Sequence, residues 1–237
     1  MQRVEGLMRR AIQDYDMIQE GDKIAVALSG GKDSVTLLYT LKNLQRYFEK
    51  NFEIVAISVN PGFENFDENL LQKICDDAKV ELHIVKINIY KIVFEERKEQ
   101  NPCSLCANLR RGTLNTTAKK LGCNKIALGH NEEDVLETFL MNLIYAGNIS
   151  TFSPVSYMDK SGMTLIRPLI YVPEKLTKRF VKKNNIEIMP KVCPEDGSTT
   201  RAETLELLKE LQIKNKQTKA NIFGAIKRAQ INGWKET

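Results

Sequence analysis

Ser29, Gly30, Gly31, Lys32, Asp33 and Ser34 follow an apolar run and precede an apolar-periodic one, within AVALSGGKDSVTLLYTL (25–41). Small residues at a strand-to-helix junction leave consecutive backbone N–H groups pointing one way. At a helix N-terminus they make a concave, positive site for phosphate. Lys32 adds a movable cation, and Asp33 is a carboxylate able to hold Mg²⁺. The stretch does not spell the common phosphate loop G-x-x-x-x-G-K-[ST], because only Ser29 and Gly30 stand before the Gly31-Lys32 pair. A nucleotide chemistry of another kind is therefore expected.

A second group sits in ALGHNEEDVLETFLMNL (127–143), where Gly129 and His130 end an apolar strand and a helix opens near Asn131. Asp134, Glu137 and Thr138 fall early in that helix; Glu132 and Glu133 also suit the dipole of its first turn. The third group is the cysteines. Cys103 and Cys106 have C-x-x-C spacing in NPCSLCANLRRG, on a loop entering a helix, and Cys193 stands far away in KVCPEDG. C-x-x-C alone serves zinc, a redox pair or two buried thiols. Three cysteines without a fourth partner suit a cluster better than closed structural zinc, which takes four ligands. Cys75 and Cys123 fall at helical or helix-end positions and read as structural thiols.

The elements that must position these groups alternate along the chain. Runs 23–28, 53–59, 82–87 and 125–129 are short, β-branched and nearly continuous in apolar character, as strands covered on both faces should be. Helical patterns at about 34–48, 66–79, 105–121 and 132–146 lie between them, and another at 3–15 precedes the first strand. This order implies an α/β fold with a Rossmann-like parallel sheet, helices on both faces and right-handed crossovers, binding ligands beyond the carboxyl ends of the strands. Past 150 come one further short strand, a helix from Pro173, a Cys-Pro turn, and helices at about 201–213 and 218–230. The expected division is an N-terminal helix (1–20), a catalytic domain (21–200) and a C-terminal helical segment (201–237).

With 237 residues the chain can bury a full core, and 42% hydrophobic with 27% charged residues describes a globular protein. No apolar run reaches the length of a membrane span and no signal-peptide core is present, so a cytoplasmic location is expected. The net charge of +5 is uneven: residues 1–150 hold 19 Lys/Arg against 21 Asp/Glu, and residues 151–237 hold 16 against 9. Such a basic C-terminal third suits either nucleic acid or a solvated helix face. Lys175, Lys178, Arg179, Lys182 and Lys183 recur at spacings that place several on one helix side, and Lys214, Lys216, Lys219, Lys227 and Arg228 extend the basic character.

The SGGKDS loop resembles that of the PP-loop ATP pyrophosphatase superfamily. There the loop holds the pyrophosphate released when a substrate oxygen is adenylated. With PCSLCANLRRG, IALGHNEEDVLET, IRPLIYVPEK and the late Cys-Pro turn, in that order, residues 20–200 resemble the tRNA 2-thiocytidine synthetase family. Glu133 stands where many relatives have an aspartate. The resemblance implies ATP and Mg²⁺ as cofactors, with Ser29, Gly30, Gly31, Lys32, Asp33, Ser34, Gly129 and His130 at the nucleotide. It further implies a [4Fe-4S] cluster on Cys103, Cys106 and Cys193, and catalytic roles for Asp33, Asp134 and Arg110. Arg110 and Arg111 would balance negative charge on cluster and adenylate. The implied reaction is thiolation at C2 of a cytidine (position 32 of the anticodon loop). The implied partners are tRNA, a sulfur donor (a cysteine desulfurase or inorganic sulfide) and a second copy in a homodimer, with no membrane. The competing readings are a PP-loop 2- or 4-thiouridine synthetase, an adenylating amidation enzyme without a cluster, and a non-enzymatic adenylate sensor.

Overall fold

The computed structural model describes residues 2–62, 65–88, 102–190 and 200–236, with the backbone alone at Pro102 and Cys103. Its centre is one six-stranded sheet. The strands are β1 (Asp22–Ala27), β2 (Phe52–Asn60), β3 (Leu82–Lys86), β4 (Lys125–Ala127), β5 (Val155–Met158) and β6 (Met163–Ile166), in the order β3-β2-β1-β4-β6-β5. All neighbours are parallel except β5 and β6, an antiparallel hairpin at one edge. The parallel sheet expected from the sequence thus gains an antiparallel edge strand. β5 carries weak signal because it is short and Tyr157 on it is exposed.

The helices are α1 (Gln2–Asp14), α2 (Lys32–Leu44), α3 (Glu68–Ala78), α4 (Pro102–Lys120), α5 (Glu132–Tyr145), α6 (Glu174–Lys183), α7 (Thr200–Lys214) and α8 (Thr218–Arg228). They cover the two faces unequally. On one face Ile24, Val26, Ile54 and Ala56 meet apolar residues of α1, α2, α3, α5, α6, α7 and α8 in a single core. Alternate residues Ala25, Val55 and Ile57 turn to the other face, where α4 supplies Ala118 and Leu114. This is the period-2 pattern of strands sandwiched between layers.

The first and last segments join the large core rather than lying apart from it. Met8, Ala11 and Ile12 of α1, Leu208 of α7, Ile226 of α8 and Trp234 are all buried there. Trp234 stacks edge-on against Tyr15 and donates its indole N–H to the Phe152 carbonyl at 3.1 Å. α4 begins at Pro102, three residues earlier than the periodicity indicated, so Cys103 and Cys106 belong to its first turns. Proline at the first helical position accounts for that start, since its missing N–H would have no partner there.

Candidate functional site

β1 delivers the 29–34 loop to the carboxyl edge of the sheet, and two glycines make its path feasible. Gly30 has φ +79°, and a Cβ there would stand 2.8 Å from the Met189 Cβ. Gly129, at the end of β4, lies so close to the loop that a Cβ would come within 3.0 Å of the Ser34 nitrogen. The loop is stitched by its serines. Ser34 Oγ accepts from the Ser29 N–H at 3.2 Å and donates to the Gly31 carbonyl at 3.0 Å. Gly31 caps α2 with no side-chain acceptor for the first-turn amides, so these donors remain for a ligand.

Lys32 and Asp33 face α6. Lys32 Nζ lies 2.7 Å from Asp33 Oδ2 and 3.0 Å from Glu174 Oε1. Burial works against the ammonium, but the two carboxylates outweigh it and hold its pKa above the usual value. Asp33 Oδ1 accepts from the buried Thr177 hydroxyl at 2.6 Å. Asp33 is thus fixed by partners on two helices, and Lys32 carries a proton at any physiological pH. Among the described residues no three His, Cys, Asp or Glu side chains form a metal site. Mg²⁺ binding by one protein carboxylate plus nucleotide phosphates needs no such group, and Asp33 fits that use.

At the start of α5, Asn131 and Asp134 form a reciprocal cap: Asn131 Oδ1 accepts from the Asp134 N–H at 3.2 Å, and Asp134 Oδ2 accepts from the Asn131 N–H at 2.9 Å. The other Asp134 oxygen lies 3.4 Å from Arg201, whose Nε donates to Glu137 at 3.0 Å. Burial raises the pKa of Asp134, and it pushes Glu137 up to about 7 against the pull of Arg201. Glu133 takes the Glu174 N–H at 2.6 Å on one oxygen and Lys219 of α8 at 2.9 Å on the other. The acidic first turn of α5 is therefore held by α6, α7 and α8 together.

A cavity of about 500 Å³ opens between the sheet and α4. Leu28, Ile57, Val59, Leu114, Leu128 and Leu165 give it apolar walls; Arg110, Arg111, Arg167 and His130 supply polar groups, and Ser29 of the loop borders it. Arg167 Nε donates to His130 Nδ1 at 3.3 Å, and the imidazole stacks on Phe152 with centroids 4.8 Å apart. Burial, then the charges of Arg167 and Arg201, drop the His130 pKa to about 3. His130 is therefore neutral and, with Nδ1 accepting, presents Nε2–H. Burial and the nearby Arg111 also lower Arg167 to about 10. Apolar walls with converging cations suit a flat heteroaromatic ring attached to an anion.

Cys106 is half-buried near Val59, Ile87 and Leu109. It stands one turn into α4, which begins at Pro102. Cys193 and the Cys103 side chain lie outside the described residues. Cys75 and Cys123 are buried in apolar surroundings that push the Cys75 thiol up to about 12 and raise Cys123 as well, so both remain protonated thiols. Of the expected basic residues, Lys175, Lys178, Arg179, Lys182 and Lys183 are exposed on α6. Two further along are engaged internally: Lys219 with Glu133, and Lys227 over the Tyr171 ring at 5.0 Å. Arg167, Glu174, Thr177 and Arg201 are not singled out as site residues by the sequence, and Lys219 is expected there only as part of the basic surface rather than as the partner of Glu133.

A parallel sheet whose first strand enters an uncapped helix through a Ser-Gly-Gly loop, beside a cation-lined cavity, defines an α/β nucleotide-binding protein. A family model described as the PP-loop domain matches residues 3–203. The tRNA-cytidine(32) 2-sulfurtransferase of Citrifermentans bemidjiense is 37% identical over 227 residues, covering 94% of this chain and 89% of its own. That of Alcanivorax borkumensis is 38% identical over 219 residues, covering 92% and 77%. The chain belongs to the PP-loop family, in the branch of the tRNA-cytidine(32) 2-sulfurtransferases. Among solved structures, the U34-tRNA thiolase NcsA from Methanococcus maripaludis with its [4Fe-4S] cluster superposes with TM-score 0.77 at 26% identity, over 95% of this chain and 78% of that one. A phosphoadenylyl-sulfate reductase from Candida auris in its phosphate complex shares the fold alone, at TM-score 0.50 and 13% identity over 77% and 81%.

Proposed function

We propose that this chain is an ATP-dependent tRNA sulfurtransferase that replaces O2 of the cytidine at position 32 with sulfur, forming AMP and pyrophosphate. The observation that carries the proposal is the juxtaposition, at one sheet edge, of the uncapped α2 amides, the arginine-lined cavity and the C-x-x-C helix.

A pyrimidine C2 carbonyl is a weak electrophile with a poor leaving oxygen. Adenylation remedies both: O2 attacks the α-phosphorus, pyrophosphate departs, and the oxygen later leaves C2 on AMP. The amides of Gly30–Ser34 receive the pyrophosphate as its charge develops. Lys32 follows by leaving Glu174 for a phosphate oxygen, and Asp33 would hold Mg²⁺ against the phosphates. Arg110, Arg111 and Arg167 balance the anionic adenylate within the cavity, where low polarity strengthens each contact. Neutral His130 offers Nε2–H as a hydrogen-bond donor without adding charge. Asp134 keeps the start of α5 and Arg201 in place beside the loop. A [4Fe-4S] cluster on Cys103, Cys106 and Cys193 would supply a deprotonated, fixed sulfur nucleophile for C2.

The sulfur would come from a cysteine desulfurase or inorganic sulfide. Exposed Leu143, Ile144, Tyr145 and Ile149 support the expectation of a homodimer. No described helix is long and apolar enough to cross a membrane, which accords with a cytoplasmic enzyme acting on tRNA. The test is an anaerobic incubation of protein, unmodified tRNA, Mg²⁺, ATP and sulfide, followed by nucleoside mass spectrometry. One AMP and one pyrophosphate per 2-thiocytidine are expected. Stoichiometric ADP would refute attack at the α-phosphorus, and 2-thiouridine without 2-thiocytidine would overturn the named base.

A further inference from the structure

We propose that the exposed side of α4, continued by Lys160 in the β5–β6 turn, is the surface along which the stem of the RNA substrate lies. This rests on the thiolase reading above and adds to it a docking face. α4 carries Arg110, Arg111, Lys119 and Lys120 over 19 residues and no carboxylate at all. Among the described residues, no carboxylate pairs with any of these four or with Lys160 within 4 Å. Several basic residues elsewhere are engaged, Lys178 of α6 with Glu174, Lys219 with Glu133 and Lys227 over Tyr171; Lys175, Arg179, Lys182 and Lys183 of α6 are exposed as well, but none of them lines the cavity. Charge that no carboxylate neutralises is what a polyanion can use.

The cations also form a path. Arg110 and Arg111 line the large cavity, while Lys119, Lys120 and Lys160 line a shallow depression of about 340 Å³. Asn115 borders both, so the two make one groove along the helix. Lys119 Nζ reaches the Ser161 carbonyl at 3.5 Å and joins the far end of α4 to the turn. At 1.5 Å per residue, Arg111 to Lys119 spans about 12 Å, a stretch of backbone rather than one nucleotide. The helix dipole accounts for cations in the last turn, Lys119 and Lys120, but not for arginines midway or for a lysine on another element. A base entering the cavity from the loop of an RNA hairpin leaves the adjoining stem phosphates facing this groove. Contacts of that kind position the RNA without reading its sequence.

The test compares two triple charge reversals in binding titrations of labelled, unmodified tRNA across a salt series. One is Lys119→Glu, Lys120→Glu and Lys160→Glu on the α4 side; the other is Lys178→Glu, Arg179→Glu and Lys182→Glu on α6. Each lost phosphate contact lowers the logarithmic salt slope by about 0.7–0.9, so the α4 set should lower it by about 2 to 3 with ATP binding unchanged. The corresponding glutamine triple should fall in the same direction, which separates lost attraction from introduced repulsion or misfolding. A wild-type slope in the α4 variant overturns the docking face; a drop confined to the α6 variant relocates the stem to α6. A wild-type protein without salt-dependent tRNA binding overturns the thiolase reading itself, a result distinct from the other two.

Discussion

Replacing Arg201 by Met should destabilise the protein in a pH-dependent way. The Arg201 side chain is half-exposed, but that of Glu137, which it holds at 3.0 Å, is only 9% exposed. An exposed ion pair contributes about 0.2–1 kcal/mol, and losing one partner of a buried pair costs about 3–5 kcal/mol; this pair stands between, at about 1–2 kcal/mol. The sign follows from Glu137, whose folded pKa is raised to about 7. Between the unfolded carboxylate value and 7 the folded state binds the extra proton, so stability declines as pH rises through that window. Without Arg201 the pKa goes higher and the decline continues past 7. At pH 6 Glu137 is mainly protonated with or without its partner, and the loss should stay below about 0.5 kcal/mol, most of it from Asp134. At pH 8 the full 1–2 kcal/mol should appear, lowering Tm by roughly 2–8 °C for a chain of this size. Thermal melts followed by circular dichroism at both pH values measure this, with Arg201→Lys recovering part of the difference. Equal losses at pH 6 and pH 8 would refute the electrostatic reasoning and leave only packing of the arginine stem.

Anaerobic iron and sulfide analysis should find the cluster lost in Cys103→Ala, Cys106→Ala and Cys193→Ala, and retained in Cys75→Ala and Cys123→Ala; full iron in the first three would remove the ligand assignment. Asp33→Ala should abolish ATP-dependent thiolation and leave the visible spectrum of the cluster intact, because Asp33 faces Lys32 and Thr177 at the nucleotide loop; normal turnover would refute the proposed nucleotide site. Gly129→Ala should raise the KM for ATP, since its methyl would press on the Ser34 amide at 3.0 Å; an unchanged KM would show that the loop yields without effect.

The first four strands and most of the helices were legible because each is a local pattern: β-branched runs for β1 to β4, a 3.6-residue period for α1 to α3. β5 escaped because an edge strand of four residues with an exposed tyrosine has no alternation long enough to register. The loop and the Gly129-His130 pair were legible since small residues at strand ends have few other uses. The partners of those groups were not. Arg201 meets Glu137 across 64 positions and Lys219 meets Glu133 across 86, and such pairings are properties of helix packing, which leaves no mark on the spacing of either residue. Arg167 likewise is one arginine among many in the sequence, and only the fold brings it to His130.

That Glu133, Asp134 and Glu137 are held from α7 and α8 has a consequence for the order of synthesis. A ribosome releases β1, the phosphate loop and α5 long before residues 201 and 219 emerge, so for that interval the acidic turn of α5 has no arginine or lysine from the later helices. Until then those carboxylates must stay hydrated or protonated, and the nascent chain cannot close the sheet edge over them. Co-translational folding should therefore halt at a loosely packed intermediate, its nucleotide loop formed but unable to retain ATP. Nucleotide retention on stalled nascent chains should begin only once α8 and Trp234 have cleared the exit tunnel.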